Sequence, residues 1–190
     1  VLSGVHLGAW GKDFAHPASL RELIAAILNK TSVKRLRLSS IEPWDIPDTF
    51  FDLWQDERLM PHFHLPLQSG SASVLRRMGR NTTPEGFRRL VETIRQTVPD
   101  AAITTDIIVG FPGETEEDFK DTLELMRTVR FDSAFTFQFS ARPGTQASKY
   151  PDQVDAKIVT ERFSRLLSLQ NEHSHASNLS VVGTSDVVLI

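Results

Sequence analysis

The stretch Ala102-Ile-Thr-Thr-Asp106-Ile-Ile-Val-Gly110-Phe-Pro-Gly-Glu-Thr-Glu-Glu-Asp-Phe119 decides the fold. Residues 102–109 are rich in Ile, Val and Thr, the side chains that suit a pleated strand. Pro112-Gly113 reads as a type II turn, with glycine at the position that needs φ > 0. Thr115 then caps a helix over 115–129, with Phe119, Leu123, Leu125 and Met126 on its apolar side. Strand, tight turn and helix in immediate succession form one β-then-α step. Glycines ahead of a helix also occur in phosphate loops. Here Glu114, Glu116, Glu117 and Asp118 crowd the first turn, where carboxylates repel a phosphate. The glycines instead let the backbone approach a flat, uncharged group such as an adenine ring.

Working outward, the same step recurs. Strand-like runs fall at 1–5, 33–39, 62–67 and 134–139. Helical spacing falls at 17–29, 46–55, 71–80, 83–97 and 154–176. In the first helix Leu20, Leu23, Ile24, Ile27 and Leu28 form the apolar stripe, and Ser19 with Glu22 makes a capping box. Pro47 and Pro84 stand near the starts of the second and fourth. Residues 187–190 begin something further. Repeated β-then-α steps with no sequence repeat give an α/β protein, a parallel sheet wrapped by helices. Periodicity leaves a doubly wound sheet and an incomplete barrel both open. Each places function at the C-terminal ends of the strands.

The 190 residues fit one domain, short of the ~250 of a complete (β/α)₈ barrel. A hydrophobic share of 40% and a charged share of 24% are those of a globular chain. The net charge of −3 argues against coating nucleic acid by bulk charge, though not against a local basic patch. No apolar run approaches the ~20 residues that span a bilayer, so no membrane is expected and the cytoplasm is the default. The absence of cysteine removes disulfides, thiolate nucleophiles, zinc–thiolate sites and cluster ligation by this chain. Lacking an initiator Met and opening in a strand-like run, the chain reads as a fragment.

The strand ends are rich in glycine and neutral hydrogen-bonding groups, which suits gripping a polar organic cofactor more than acid–base hydrolysis. Period two puts Thr104, Asp106, Ile108 and Gly110 on one face. Asp106 there is either a buried, hydrogen-bonded carboxylate or a polar contact to a cofactor. His62 and His64, at i and i+2, share a face and permit a zinc-hydrolase reading, set against packing or hydrogen bonding. They stand at the start of their strand, away from where barrel metal sites lie. His173 and His175 fall on a polar helix end and are expected to be solvated. Arg76, Arg77, Arg80, Arg88 and Arg89 form a basic cluster, either a solvated helix face or an RNA phosphate contact.

Taken in order, these segments resemble the radical-SAM methylthiotransferases over nearly the whole chain. The matching stretches are Leu2-Ser-Gly-Val-His-Leu-Gly-Ala-Trp-Gly11, Arg37-Leu-Ser-Ser-Ile-Glu-Pro43, His64-Leu-Pro-Leu-Gln-Ser-Gly-Ser71 and Val74-Leu-Arg-Arg-Met78. The Thr104–Phe119 stretch and Phe139-Ser-Ala-Arg-Pro-Gly-Thr145 complete them. The resemblance implies a partial parallel (β/α)₆ TIM-like barrel with strands two to six present and the first missing. It implies S-adenosylmethionine (SAM) as cofactor and [4Fe–4S] clusters in the intact protein, one of them held by a Cys-x₃-Cys-x₂-Cys loop absent here. In that family, reductive cleavage of SAM gives a radical that abstracts hydrogen.

By the same resemblance, residues 1–178 form a truncated core and 179–190 begin an RNA-binding, TRAM-like β-barrel. Gly4 and His6 match the loop near the SAM amino group, and Ser40 and Gln68 the strand ends facing its ribose and methionine portions. Asp106, Ile108 and Gly110 match the strand beside the adenine, and Phe139 and Arg142 the last strand and its loop. No residue is given a catalytic or metal-binding role. The Gly4-Val-His-Leu-Gly8 loop and the Ser39-Ser-Ile-Glu-Pro-Trp44 stretch are most similar to the branch acting on N6-threonylcarbamoyladenosine-37 of tRNA. Isopentenyladenosine-37 and a ribosomal-protein aspartate are the alternatives. The implied partners are tRNA, through an anticodon-loop adenosine, a reductant and a sulfur donor. Alone, the chain is expected to be inactive.

Overall fold

A computed structural model describes residues 1–185. Its spine is β2, Ala102–Val109, which lies between β1, His62–His64, and β3, Ser133–Gln138. All three are parallel, with Phe63 beside Ile103, Asp106 beside Phe135 and Val109 beside Gln138. Outside β1 the wall continues through single parallel bridges, Leu36 to Leu59, Ser40 to His64 and Leu2 to Leu38. The segments therefore stand in chain order. A doubly wound sheet would reverse that order, whereas an arc of a barrel keeps it. The incomplete-barrel alternative is the one observed.

The helices all cover one face of this arc. They are α1 (Leu20–Lys30), α2 (Ala72–Arg77), α3 (Pro84–Thr97), α4 (Glu116–Val129) and α5 (Ala156–Ser180). The expected capping box of Ser19 and Glu22 is present, Thr83 and Thr115 cap α3 and α4, and Ser71 caps α2. Ile103, Ile107 and Val109 of β2 pack with Phe87, Val91 and Ile94 of α3, Phe119 and Met126 of α4, and Leu166 of α5. A second cluster joins α1 to Leu36, Leu38, Ile41 and Leu59. No helix among the described residues is long and apolar enough to cross a membrane.

Several elements differ from their expected form for local reasons. The run 62–67 is a regular strand only as far as His64, because Pro66 has no N–H to give the ladder. The chain nonetheless stays beside β2, with Leu65 N donating to Thr104 O at 2.9 Å and Gln68 N to Asp106 O at 2.8 Å. The run 33–39 makes bridges rather than a full strand. The expected helix over 46–55 is a 3₁₀ helix, Asp48–Gln55. Phe50 and Leu53, three apart, share a side under the 3₁₀ period and enter the α1 cluster, while Phe51 enters the main core. Gly79, at φ +68, stops α2 short of the expected residue 80. The division expected at 178/179 falls inside α5, and residues 187–190 lie outside the described residues. His173, expected to be solvated, is buried on α5 at 8% exposure, whereas His175 is exposed.

Candidate functional site

Period two sorts β2 into two faces. Ile103, Thr105, Ile107 and Val109 are buried against the helices, and Ala102, Thr104, Asp106 and Ile108 face the open side, half-buried. At the C-terminal end of that open side lies a pocket of about 410 Å³. Of the residues expected at the site, Gln68, Asp106, Ile108, Phe139 and Arg142 meet here. Phe137, Gln138, Ser140 and Thr145 line it as well. The alternation Ser133-Ala-Phe-Thr-Phe-Gln-Phe139 carried the signal for Phe137, since it puts Phe135, Phe137 and Phe139 on one side of an extended chain.

Gln68 reaches the pocket from a left-handed backbone, φ +74, unusual for a residue with a Cβ. The following residues hold it there. Gly70 N donates to Thr122 Oγ1 at 3.0 Å, Ser69 Oγ lies 3.3 Å from the same hydroxyl, and Ser71 donates to Asp118. Gly70 has to be glycine, because a Cβ there would meet Thr122 Cα at 2.5 Å. Strain over-determined by its surroundings is characteristic of binding edges.

Asp106 ends a string of polar side chains on the open face. His64 Nε2 is 3.3 Å from Asp106 Oδ2, and His64 Nδ1 is 2.9 Å from Thr104 Oγ1. Thr104 Oγ1 is in turn 3.3 Å from His62 Nε2, and Arg37 Nε donates to His62 Nδ1 at 3.3 Å. The His64 contacts are satisfied by a proton on Nε2, donated to Asp106, with the Thr104 hydroxyl donating to Nδ1. Burial pushes the His62 imidazole down to about 4, and the Arg37 charge and His64 add to the effect. The two histidines are committed to hydrogen bonds, a guanidinium stands against one of them, and no group of three potential ligands exists among the described residues.

The acidic turn after Gly113 is an internal brace. Glu114 is buried, accepts from Gly110 N at 3.1 Å and pairs with the buried Arg162 of α5 at 2.8 Å. Burial raises the Glu114 pKa, against the opposing pull of Gly110 N–H and Arg162. Glu116 takes Arg162 and Arg165. Asp118 is held at about 2: burial would raise it, but hydrogen bonds from Ser71, Ser73 and Thr115 outweigh that. Gly113 adopts the positive φ expected of the turn, +78. Phe111 then stands edge-on to Phe139 at 5.3 Å, fixing the pocket wall.

The remaining expected residues lie elsewhere. Gly110 is buried and lines no part of the pocket; a Cβ on it would strike Val159 of α5 at 2.4 Å. Gly4 and His6 border a separate cavity of about 660 Å³, where His6 Nε2 meets Asp45 Oδ2 at 2.5 Å. Ser40 is exposed, beside His64 and one strand removed from Asp106. In the arginine cluster, Arg77 pairs with Asp152, Arg80 with Glu42 and Arg88 with Glu92, which favours the solvated-face reading over a phosphate surface.

The chain was compared with known proteins. Residues 5–126 match the Radical SAM superfamily. A tRNA-2-methylthio-N(6)-dimethylallyladenosine synthase from Parafrankia sp. (strain EAN1pec) is 46% identical over 96% of this chain and 37% of its own length. Enzymes of the same name from Thermobifida fusca and Acetivibrio thermocellus are 45% and 43% identical over the whole of this chain and 39% and 40% of theirs. The chain thus spans about two fifths of the length of these curated relatives. Among solved structures, coproporphyrinogen III oxidase from Escherichia coli, a radical SAM enzyme, matches with a TM-score of 0.65 at 16% identity. That match covers 80% of this chain and 36% of the other, and it concerns the fold.

Proposed function

This chain belongs to the radical SAM superfamily, and from that premise we propose that its β2–β3 pocket holds SAM within a tRNA methylthiotransferase. The observation that carries the reading is the convergence of Gln68, Asp106, Ile108, Phe139 and Arg142 on one cavity at the C-terminal edge of the sheet. The chemistry of this donor set fits the cofactor. Ile108 and Phe139 offer apolar surface to an adenine, the Asp106 carboxylate and Gln68 amide suit ribose hydroxyls, and Arg142 with Ser140 suits a carboxylate. At about 410 Å³ the cavity lies within the usual range for cofactor sites.

When bound, SAM supplies the methyl group and the means of activating a C–H bond. The part played by this chain is binding and orientation. Glu114 and Arg162 brace the turn that carries Phe111 against Phe139, and the His64–Asp106 contact fixes the carboxylate in the wall. An iron–sulfur cluster, which the superfamily implies, does not fit the donors of this chain, because it has no cysteine. Cluster ligands, reductant and sulfur donor belong to other parts of the system. The acceptor we assign is N6-dimethylallyladenosine in tRNA, in the cytoplasm. The relatives named for that base support it in place of the threonylcarbamoyl base that the N-terminal loop resembles.

Calorimetric titration with S-adenosylhomocysteine tests the cofactor assignment. The chain should bind it, and Arg142→Ala and Asp106→Asn should each weaken binding by about tenfold, the worth of one charge-assisted contact. Absence of binding by the folded chain would overturn the assignment.

A further inference from the structure

The open face of β3 carries two phenyl rings that the fold itself does not use. Phe135 and Phe137 are 60% and 50% exposed, whereas Phe63, Phe87, Phe119 and Phe131 are at most 2% exposed. Parallel register sets Phe135 beside Asp106 and Phe137 beside Ile108. Phe137 also lines the β2–β3 pocket, so the apolar strip starts in that pocket and continues along the open face. The His64 ring stands edge-on to Phe135 at 5.8 Å, which leaves the aromatic strip bounded by the His64–Asp106 pair.

We propose that Phe135 and Phe137 seat the uncharged isoprenoid substituent of the acceptor base and exclude a base whose N6 substituent carries a carboxylate. This rests on the methylthiotransferase reading and adds to it the residues that select the acceptor. A dimethylallyl group has no hydrogen-bonding atom, so contact with apolar surface is the attraction available to it, and exposed ring faces provide it. A carboxylate in the same place would face the Asp106 carboxylate. The two nearby cations are both engaged in this reading: Arg37 is turned onto His62, and Arg142, in the pocket lining, is assigned to the carboxylate of the cofactor. The planar base has ring faces to stack on, as unstacked bases do on aromatic side chains.

The test is binding by the full chain of three nucleosides: adenosine, N6-dimethylallyladenosine and N6-threonylcarbamoyladenosine. S-adenosylhomocysteine is titrated separately. The dimethylallyl nucleoside should bind on the order of tenfold more tightly than adenosine, and the threonylcarbamoyl one no more tightly than adenosine. Phe135→Ala and Phe137→Ala should each abolish the preference while leaving the melting temperature in place, since both rings are largely exposed. Phe135→Leu, which keeps apolar surface, should retain most of it. Equal affinities, a preference for the threonylcarbamoyl nucleoside, a preference surviving both alanine variants, or no nucleoside binding at all would each overturn the inference. So would a change in self-association as the only effect of the alanine variants. S-adenosylhomocysteine binding without nucleoside preference sinks this inference alone. Nucleoside preference without S-adenosylhomocysteine binding sinks the cofactor assignment and leaves the seat standing.

Discussion

Ile107 and Ile108 are adjacent in one strand, yet Ile107 is wholly buried under the helices and Ile108 borders a pocket. The two faces of β2 divide the work of the molecule in the same way. The covered face is apolar except for Thr105, whose hydroxyl is bonded to Leu65 O, and it is continuous with α3, α4 and α5. The open face carries Thr104, Asp106 and the exposed phenyl rings of β3, and it borders the candidate site. A parallel barrel strand is ordinarily apolar on both sides because layers of side chains fill the interior. Here polar groups interrupt that layer, and such interruptions mark where a fold has given up packing for chemistry.

The largest effect should come from the buried brace on the covered side. Arg162→Ala leaves Glu114 buried without its partner and should cost about 3–5 kcal/mol in chemical denaturation at neutral pH. Burial already raises the Glu114 pKa, and loss of Arg162 raises it further. The deficit should therefore grow as pH rises from the ordinary carboxyl value of 4.5, where the unfolded chain ionises and the folded one resists. A deficit independent of pH would show that Arg162 acts by packing alone.

Next is the pair of neighbours. Ile107→Ala should destabilise by about 2–5 kcal/mol, by cavity formation in a close-packed core. Ile108→Ala should cost no more than about 1 kcal/mol but should weaken S-adenosylhomocysteine binding. If both cost the same stability, the open face is core after all and the division fails.

A smaller effect tests the link between the two sides. Asp118, on α4, holds the loop that carries Gln68 to the pocket, and its pKa lies at about 2 against an ordinary 3.8. The unfolded chain takes up the proton first as pH falls, so the stability that Asp118 provides is complete above 3.8 and drains away towards 2. Denaturation curves at pH 4 and 2.5 should lie closer together for Asp118→Asn than for the wild type. A variant that loses as much stability over that interval as the wild type would assign the acid sensitivity to other groups.

The covered face was legible in the sequence because it follows from periodicity. The β2 limits, the apolar side of α4 and the Ser19–Glu22 box all rest on contacts local in the chain. The order of the strands was not legible, since the same alternation serves a doubly wound sheet and a barrel. On the open face, Asp106 could be placed on the right side but not paired, because its partner His64 lies 42 positions away in sequence. The bracing role of the acidic turn was not legible for a related reason: the pairing of Glu114 with Arg162 spans 48 positions. Phe135 and Phe137 were not legible as surface rings, because alternation marks a side and is silent on whether anything covers it.

The smallest effect probes the far end of the open face. His62 titrates at about 4 in the folded protein against an ordinary 6.5, because burial and the neighbouring Arg37 disfavour its charge. Between those values the unfolded chain binds a proton that the folded chain refuses, so stability should fall as pH is lowered from 6.5 towards 4. His62→Gln keeps a hydrogen-bonding group beside Thr104 and removes the titration, and should flatten this part of the profile. The same variant should leave S-adenosylhomocysteine binding unchanged, because His62 reaches the pocket only through Thr104, His64 and Asp106. If binding weakens with His62→Gln, the polar string transmits to the pocket and the open face acts as one unit rather than as a site with a structural margin.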